Sequence, residues 1–348
     1  MNISKFNRKK FILPSIGFYK EHREVTKYSF IFWAVVRKEF TDYLTSWRII
    51  ILLAIIALTC LGSLYTAVTA IQDAISQSEE AQSIAADSFL FLKLFTVSDG
   101  TLPPFTTFIT FLGPLLGIAL GFDAINSERN KGTLSRLMAQ PIPRDYVLNA
   151  KFTSALLINV VLFFMLGLLV MGLGILIIGI PPTFEEFMRI ILFLVISVAY
   201  VAFWLNVGIL FSVQFRQPAT SALAGIAIWI FFSVFYSMII SLIQKTMMPS
   251  AGSQQVQEAI AQYGFIQNLS RLSPSYLFNE STTILLTPSV RTLGPLSMEQ
   301  RTGAIPSPLP LDQSLILIWP QLTSLIAITV VCFAISYVIF MKQEIRSK

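Results

Sequence analysis

Six stretches of the chain run without one Asp, Glu, Lys, Arg or His: Ile49–Ile71, Phe105–Phe122, Phe152–Ile180, Ile190–Phe211, Ala219–Ile243 and Leu315–Met341. A helix needs about 20 residues to cross roughly 30 Å of hydrocarbon, so each stretch predicts a membrane-spanning helix. The second is short. The third is long enough to require tilting or a break, and Gly167, Gly172, Gly174 and Gly179 favour a break because glycine weakens a helix interior. Pro320 predicts a bend near the start of the sixth. Gly113, Gly117 and Gly121 recur every four residues in the second, with Pro114 among them, and make a small-residue face that lets another helix approach closely. A functional helix contact and generic bundle packing account for that face equally.

Ahead of these stretches lies a different pattern. The run Phe30–Val36 is too short to span. Trp33, Phe40 and Trp47 recur every seven residues with Phe30 and Leu44 beside them, while Lys38, Thr41, Asp42 and Thr45 take the other side. This spacing predicts an amphipathic helix over about residues 30–47, lying in the membrane interface where tryptophan and the basic Arg37 and Lys38 are both favoured. The first helix of a soluble N-terminal piece is the alternative. The chain thus divides into an N-terminal segment 1–48, a six-span unit 49–341 and a tail 342–348. Within the unit, residues 72–104 begin polar, rich in Glu and Ser, and read as helical. Residues 244–314 show a helical pattern around Val256–Leu269, an apolar run Ile284–Leu286 and an extended Pro-rich portion Pro288–Pro310.

Composition changes the picture by exclusion. Of 348 residues, 54% are hydrophobic and 13% charged, and mean hydropathy is +0.69. A soluble domain carries about 25% charged residues to cover its surface, so the expectation is an all-α polytopic membrane protein. Cys60 and Cys332, the two cysteines, sit in apolar runs, and His22 is the one histidine, which leaves no disulfide framework or metal-ligand cluster. The net charge of +6 does not point to nucleic acid, because the basic residues flank the spans. With the N-terminus inside, the inner segments hold ten Lys/Arg before the first span, five between spans two and three, one between four and five and three at the C-terminus, against six outside. Both termini are therefore predicted cytoplasmic. The first long apolar run starts too far along for a cleaved signal. No phosphate loop G-x-x-x-x-G-K-[ST] occurs, and the six stretches offer no ionisable group to an ion-coupled carrier; Asn159 and Asn206 are their most polar side chains.

The loop between spans two and three reads Asp123-Ala-Ile-Asn-Ser-Glu128-Arg129-Asn-Lys131-Gly132-Thr133-Leu134-Ser-Arg136-Leu137-Met138-Ala-Gln-Pro141-Ile-Pro143-Arg144. Thr133 can cap a short helix from Leu134, on which Leu134, Leu137 and Met138 share a face at i, i+3, i+4 before Pro141 stops it. Such a helix would offer an apolar knob with a charged rim to a groove on another protein. A solvated loop fits the residues as well.

Glu128-Arg129, Gly132-Thr133-Leu134, Leu137, Pro141, Arg144 and Lys151 resemble the pattern of permease subunits of ABC-2-type ATP-binding-cassette exporters. Arg37-Lys38-Glu39-Phe40 to Trp47-Arg48 is similar to that family's interfacial elbow helix, and Leu272-Ser-Pro274-Ser-Tyr276-Leu277-Phe278 resembles its nitrous-oxide-reductase-maturation-like branch. The resemblance covers the chain from about Val35 onward. It implies a permease without an ATPase site of its own, binding no cofactor, with ATP and Mg held by a separate ABC ATPase subunit. It also implies a homodimer, or a heterodimer with a related permease, in the cell membrane. Glu128, Arg129, Gly132, Thr133, Leu134, Leu137 and Met138 would form the ATPase-coupling contact, with Glu128 and Arg129 as polar partners and Leu134 and Leu137 as apolar anchors. Trp33, Arg37, Lys38, Phe40 and Trp47 would form the elbow, and residues 255–287 external helices near the exit. A membrane scaffold or receptor using the Pro-rich loop is the rival expectation.

Overall fold

The computed structural model describes residues 16–77, 89–139, 143–179, 181–247, 264–289 and 308–343, with the side chains of 16–29, 74–77, Ser135, Leu137, Met138 and Ile178 left out. All regular structure among them is helical: α1 Ile16–Thr45, α2 Trp47–Gln77, α3 Leu90–Thr96, α4 Phe105–Gly121, α5 Asn126–Asn130, α6 Thr133–Met138, α7 Arg144–Ile178, α8 Phe184–Gln214, α9 Pro218–Met247, α10 Pro274–Leu286 and α11 Leu311–Lys342. Six of these, α2, α4, α7, α8, α9 and α11, are long and apolar enough to cross a membrane. Residues 264–270 are also helical. The part of the pattern Val256–Leu269 before residue 264 and most of Pro288–Pro310 lie outside the described residues.

Helix α8 is the central mast. Its apolar window is 72% buried, against 6% for α9, most of whose side chains face away from the bundle. Against α8 lies α4, joined backbone to backbone. A Cβ on Gly117 would stand 2.7 Å from Leu205 N and Val201 O, and one on Gly121 2.5 Å from Leu205 O. Gly208 returns the approach, 3.0 Å from Ile118 O. In lipid no hydrophobic force separates helix–helix from helix–lipid contact, so close van der Waals approach over small residues holds such a pair.

Helix α7 differs from the sequence expectation. It runs unbroken through Gly167, Gly172 and Gly174 and stops at Gly179, whose φ of 78° is the left-handed conformation that glycine adopts freely. Gly167 and Gly174 serve packing instead of breaking the helix: a Cβ would meet Leu194 and Leu94, respectively, at 2.5 Å. The interruption falls in α9, where Phe231–Phe235 form a π turn. Helices α4 and α11 continue through Pro114 and Pro320.

Two segments expected outside the bundle pack into it. In α3, Phe91, Leu92, Leu94 and Phe95 are buried, and Phe95 meets Phe105 and Phe193 edge to face. In α10, Phe278 stacks on Tyr200 at 4.4 Å between centroids, while Tyr200 Oη donates to Thr110 O and pairs with Ser275 Oγ, each at 3.0 Å. Tyr200 lies about 24 Å along α8 from Phe184 at the helical rise. The other end of α10 meets Arg189, near the start of α8. The segment therefore dips into the bundle and climbs back out before α11.

Arg189 fastens that return. It is fully buried, and its guanidinium donates to Glu185 Oε1, Leu285 O, Ser314 Oγ and Leu309 O at 2.5–3.1 Å. Nearby, Glu186 closes a capping box with Thr183 and accepts from Phe91 N at 2.9 Å, and the buried Glu280 takes a bidentate pair from Arg271 at 2.7 and 2.9 Å. The helices thus reach beyond the predicted spans and carry Arg189 and Lys151, each one residue outside those spans, into the bundle.

Replacing Gly117 and Gly121 together by Ala is expected to lower the stability of the detergent-solubilised chain by about 1–3 kcal/mol per site, because the new methyl groups meet rigid backbone. Gly172, with open space around its Cβ, tolerates Ala. Thermal melting of the two variants checks this; equal melting would sink the backbone-contact account.

Candidate functional site

The charged residues of the loop collect at one end of the bundle, here called the proximal face. Helix α1 runs along α7 and ends at Thr45; one residue later α2 begins. Its inner face is Val36, Glu39 and Tyr43, with Phe40 packed against the core. Trp33 and Trp47 are 55% and 76% exposed, together with Phe30 and Leu44. The heptad stripe therefore divides: Phe40 turns to the bundle and the other four apolar side chains turn away. Arg37 and Lys38 are exposed.

Lys151, on the second turn of α7, is 4% exposed. Its Nζ donates to Glu39 Oε2 and to Glu128 Oε1, each at 2.8 Å. Lys38 adds a third contact, 2.9 Å to Glu39 Oε1, and pairs with Asp42 at 3.0 Å. One ammonium group thus joins α1, α5 and α7. Burial alone would push the Glu39 carboxyl up, but Lys151 and Lys38 outweigh it and hold the group below the usual carboxylate range. Beside this triad, Arg48 pairs with Asp123 at 2.6 Å and Tyr43 Oη donates to Leu120 O at 2.9 Å. A cavity of about 590 Å³ opens among these groups, bordered by Ser46, Lys131 and Thr133.

The loop is tied on its other side to α8 and α11. Ser212 Oγ accepts from Ile125 N and Asn126 N at 2.9 and 3.2 Å, and Asn130 Nδ2 donates to Arg216 O at 3.0 Å. Arg129 donates to Gln343 Oε1, and Gln343 Nε2 donates to Val213 O at 2.8 Å. Gly132, with φ 68°, turns the chain from α5 into α6, a conformation that L side chains rarely adopt.

Several expectations change at this point. Thr133 is itself the first residue of α6, and its hydroxyl donates back to Glu128 O at 3.2 Å instead of capping the helix. Leu134 is 1% exposed and belongs to the core, so it anchors α6 to its own bundle. The side chains of Leu137 and Met138 lie outside the described residues. Glu128 and Arg129 face Lys151 and Gln343 within the chain. Gly113, Gly117 and Gly121 face α8, as described above, and take no part in this ion-pair cluster.

Over residues 33–345 the sequence matches the family described as ABC-2 family transporter protein. The chain belongs to that family. This makes it a multi-pass membrane protein and a permease component of an ABC transporter, with an ABC ATPase as the implied partner. The match specifies no branch within the ABC-2 family. No curated protein matches the chain.

Within this ABC-2 permease, Glu39 is the residue that sequence reasoning missed. The seven-residue apolar stripe assigned α1 a lipid face and treated the rest as solvated. The signal was its spacing: Glu39 lies three residues after Val36 and four before Tyr43, on the face now seen against α7.

Removing one member of a buried ion pair leaves an uncompensated charge and costs about 3–5 kcal/mol. Lys151→Met is therefore expected to destabilise the chain on that scale, and the added changes Glu39→Gln and Glu128→Gln to recover most of the loss; melting of the wild-type, single and triple variants checks it. A carboxyl with a lowered folded pKa contributes stability above its unfolded value and loses it as pH falls through the folded one. Acid should thus release the Glu39 contact only below the usual carboxylate range, and Glu39→Gln should abolish that portion of the acid sensitivity.

Proposed function

We propose that this chain is the membrane subunit of an ATP-binding-cassette exporter, driven by a separate ATPase that docks on the proximal face around residues 128–138. The observation that carries the reading is the Lys151 triad. A push on α5–α6 is transmitted by Glu128 to Lys151, and from there to α7 and, through Glu39, to α1. The same loop grips α8 through Ser212 and α11 through Gln343. Packed helices and charge-assisted hydrogen bonds make a stiff lever, so a displacement at one loop moves four long helices together.

In this reading the proximal face is cytoplasmic, with both termini on that side and the chain in the cell membrane. ATP and Mg belong to the ATPase, and the chain contributes no catalytic group. Two permease chains, identical or related, complete the membrane unit, and nucleic acid has no part. Coupling requires that the ATPase's two states interact differently with α5–α6, since a ligand indifferent to both states shifts nothing. Cargo would be lipid-like, peptide or drug-like, moved outward, or handed to an assembly system.

Purification from native membranes in mild detergent tests this. A stoichiometric soluble subunit with a phosphate loop and ATPase activity is expected to accompany the chain. Glu128→Gln should still insert and recover that subunit, but change its ATP turnover several-fold; unaltered turnover would overturn the lever. Intact chain without any ATPase, across several detergents, would favour the scaffold or receptor reading instead. In sealed right-side-out vesicles a tag after Lys348 should be protected and one near Ser297 accessible.

A further inference from the structure

The loop that carries α5 and α6 sorts its charges by direction. Its acidic groups turn inward: Asp123 to Arg48 and Glu128 to Lys151. Arg129 turns inward as well, to Gln343. Lys131, Arg136 and Arg144 are exposed and hold no ion pair among the described residues, and Arg37 and Arg216 flank them, also exposed. Asp145, half-buried, is the other acidic group in the stretch. Of the two apolar anchors that sequence reasoning assigned to a partner, Leu134 is withdrawn into the core, and the side chain of Leu137 lies outside the described residues.

We propose that this face docks by charge, with Lys131, Arg136 and Arg144 seated in an acidic cleft of the ATPase. The inference rests on the functional reading above and adds the chemistry of the partner's surface. The positive-inside rule explains why the loop is basic. It does not explain why every carboxylate in α5 and at its entrance is paired within the chain while three cations on or beside the same loop have no ion pair among the described residues. Near Trp33 and Trp47, side chains suited to headgroup depth, Lys38 and Arg48 are paired within the chain while Arg37 is exposed. Lys131, Arg136 and Arg144 lie on or beside the loop that is fastened at its base by Leu134 and the Thr133–Glu128 hydrogen bond. An excess of one sign on an exposed face steers an oppositely charged partner and makes its association salt-dependent.

Zero-length carbodiimide coupling on the purified complex tests it, because it joins a lysine amine to a carboxylate only when the two are in contact. The ATPase is identified by its phosphate-loop peptide. Lys131 is expected to couple to an Asp or Glu of that subunit, and Arg136→Lys and Arg144→Lys each to add a new cross-link, since arginine does not couple. Arg136→Glu with Arg144→Glu should lower ATPase recovery roughly tenfold near physiological salt while the chain stays in the membrane. Wild-type recovery should fall as salt rises. Full recovery with the double reversal, or cross-links from all three positions confined to the permease, would overturn the proposal. So would a reversal that spares the ATPase and releases co-purifying phosphatidylglycerol, which would make the patch a lipid surface. If wild-type chain brings down no ATPase at any salt, the functional reading fails, and the acidic-cleft inference fails with it.

Discussion

A charge withdrawn from water has to bring its counter-charge along, and both ends of this bundle are organised by that requirement. On the proximal face the Lys151 ammonium is enclosed by two carboxylates from different helices. On the opposite face the Arg189 guanidinium is enclosed by one carboxylate, two backbone carbonyls and a hydroxyl from three separate segments. Each cation has partners far away in sequence, so satisfying it fixes how distant elements meet. Between these two fastenings the helices are held by packing, closest where glycines of α4 and α8 bring the backbones together, and by a few neutral hydrogen bonds such as Tyr200 to Thr110 O.

The two ends differ in what they fasten. Arg189 joins the start of α8 to the end of α10 and the start of α11, and so holds a segment that dips into the bundle and returns. Lys151 joins the loop α5 to the two helices beside it. The first arrangement closes a re-entrant segment; the second gives a loop leverage over several spans. In an ABC-2 permease, for which the family implies an ABC ATPase partner, the second is the one that the proposed coupling would use.

Inward pairing also gives that loop a role within its own chain. Leu134 lies in the core and Glu128 is bound to Lys151. Among the described side chains of the loop, the exposed charges are basic. A motif that reads as a docking sequence is, in three dimensions, also a fastening.

Six spans, a helix ahead of them and a charged loop were legible in the sequence because each depends on local spacing: runs long enough to cross hydrocarbon, a seven-residue stripe, an interruption by Gly132 and Pro141. Helix boundaries were less legible, since Lys151 and Arg189 marked the predicted edges and yet lie inside continuous helices; a charge ends an apolar run without ending a helix. The glycines of α7 show the same limit, because glycine weakens an isolated helix but in lipid also admits a neighbour's side chain, and only the presence of Leu194 and Leu94 decides between the two effects. The burial of α10, the inward turn of Leu134 and the partner of Glu39 all came from tertiary structure. Each depends on which distant residue fills the space beside it, a quantity that local periodicity does not carry.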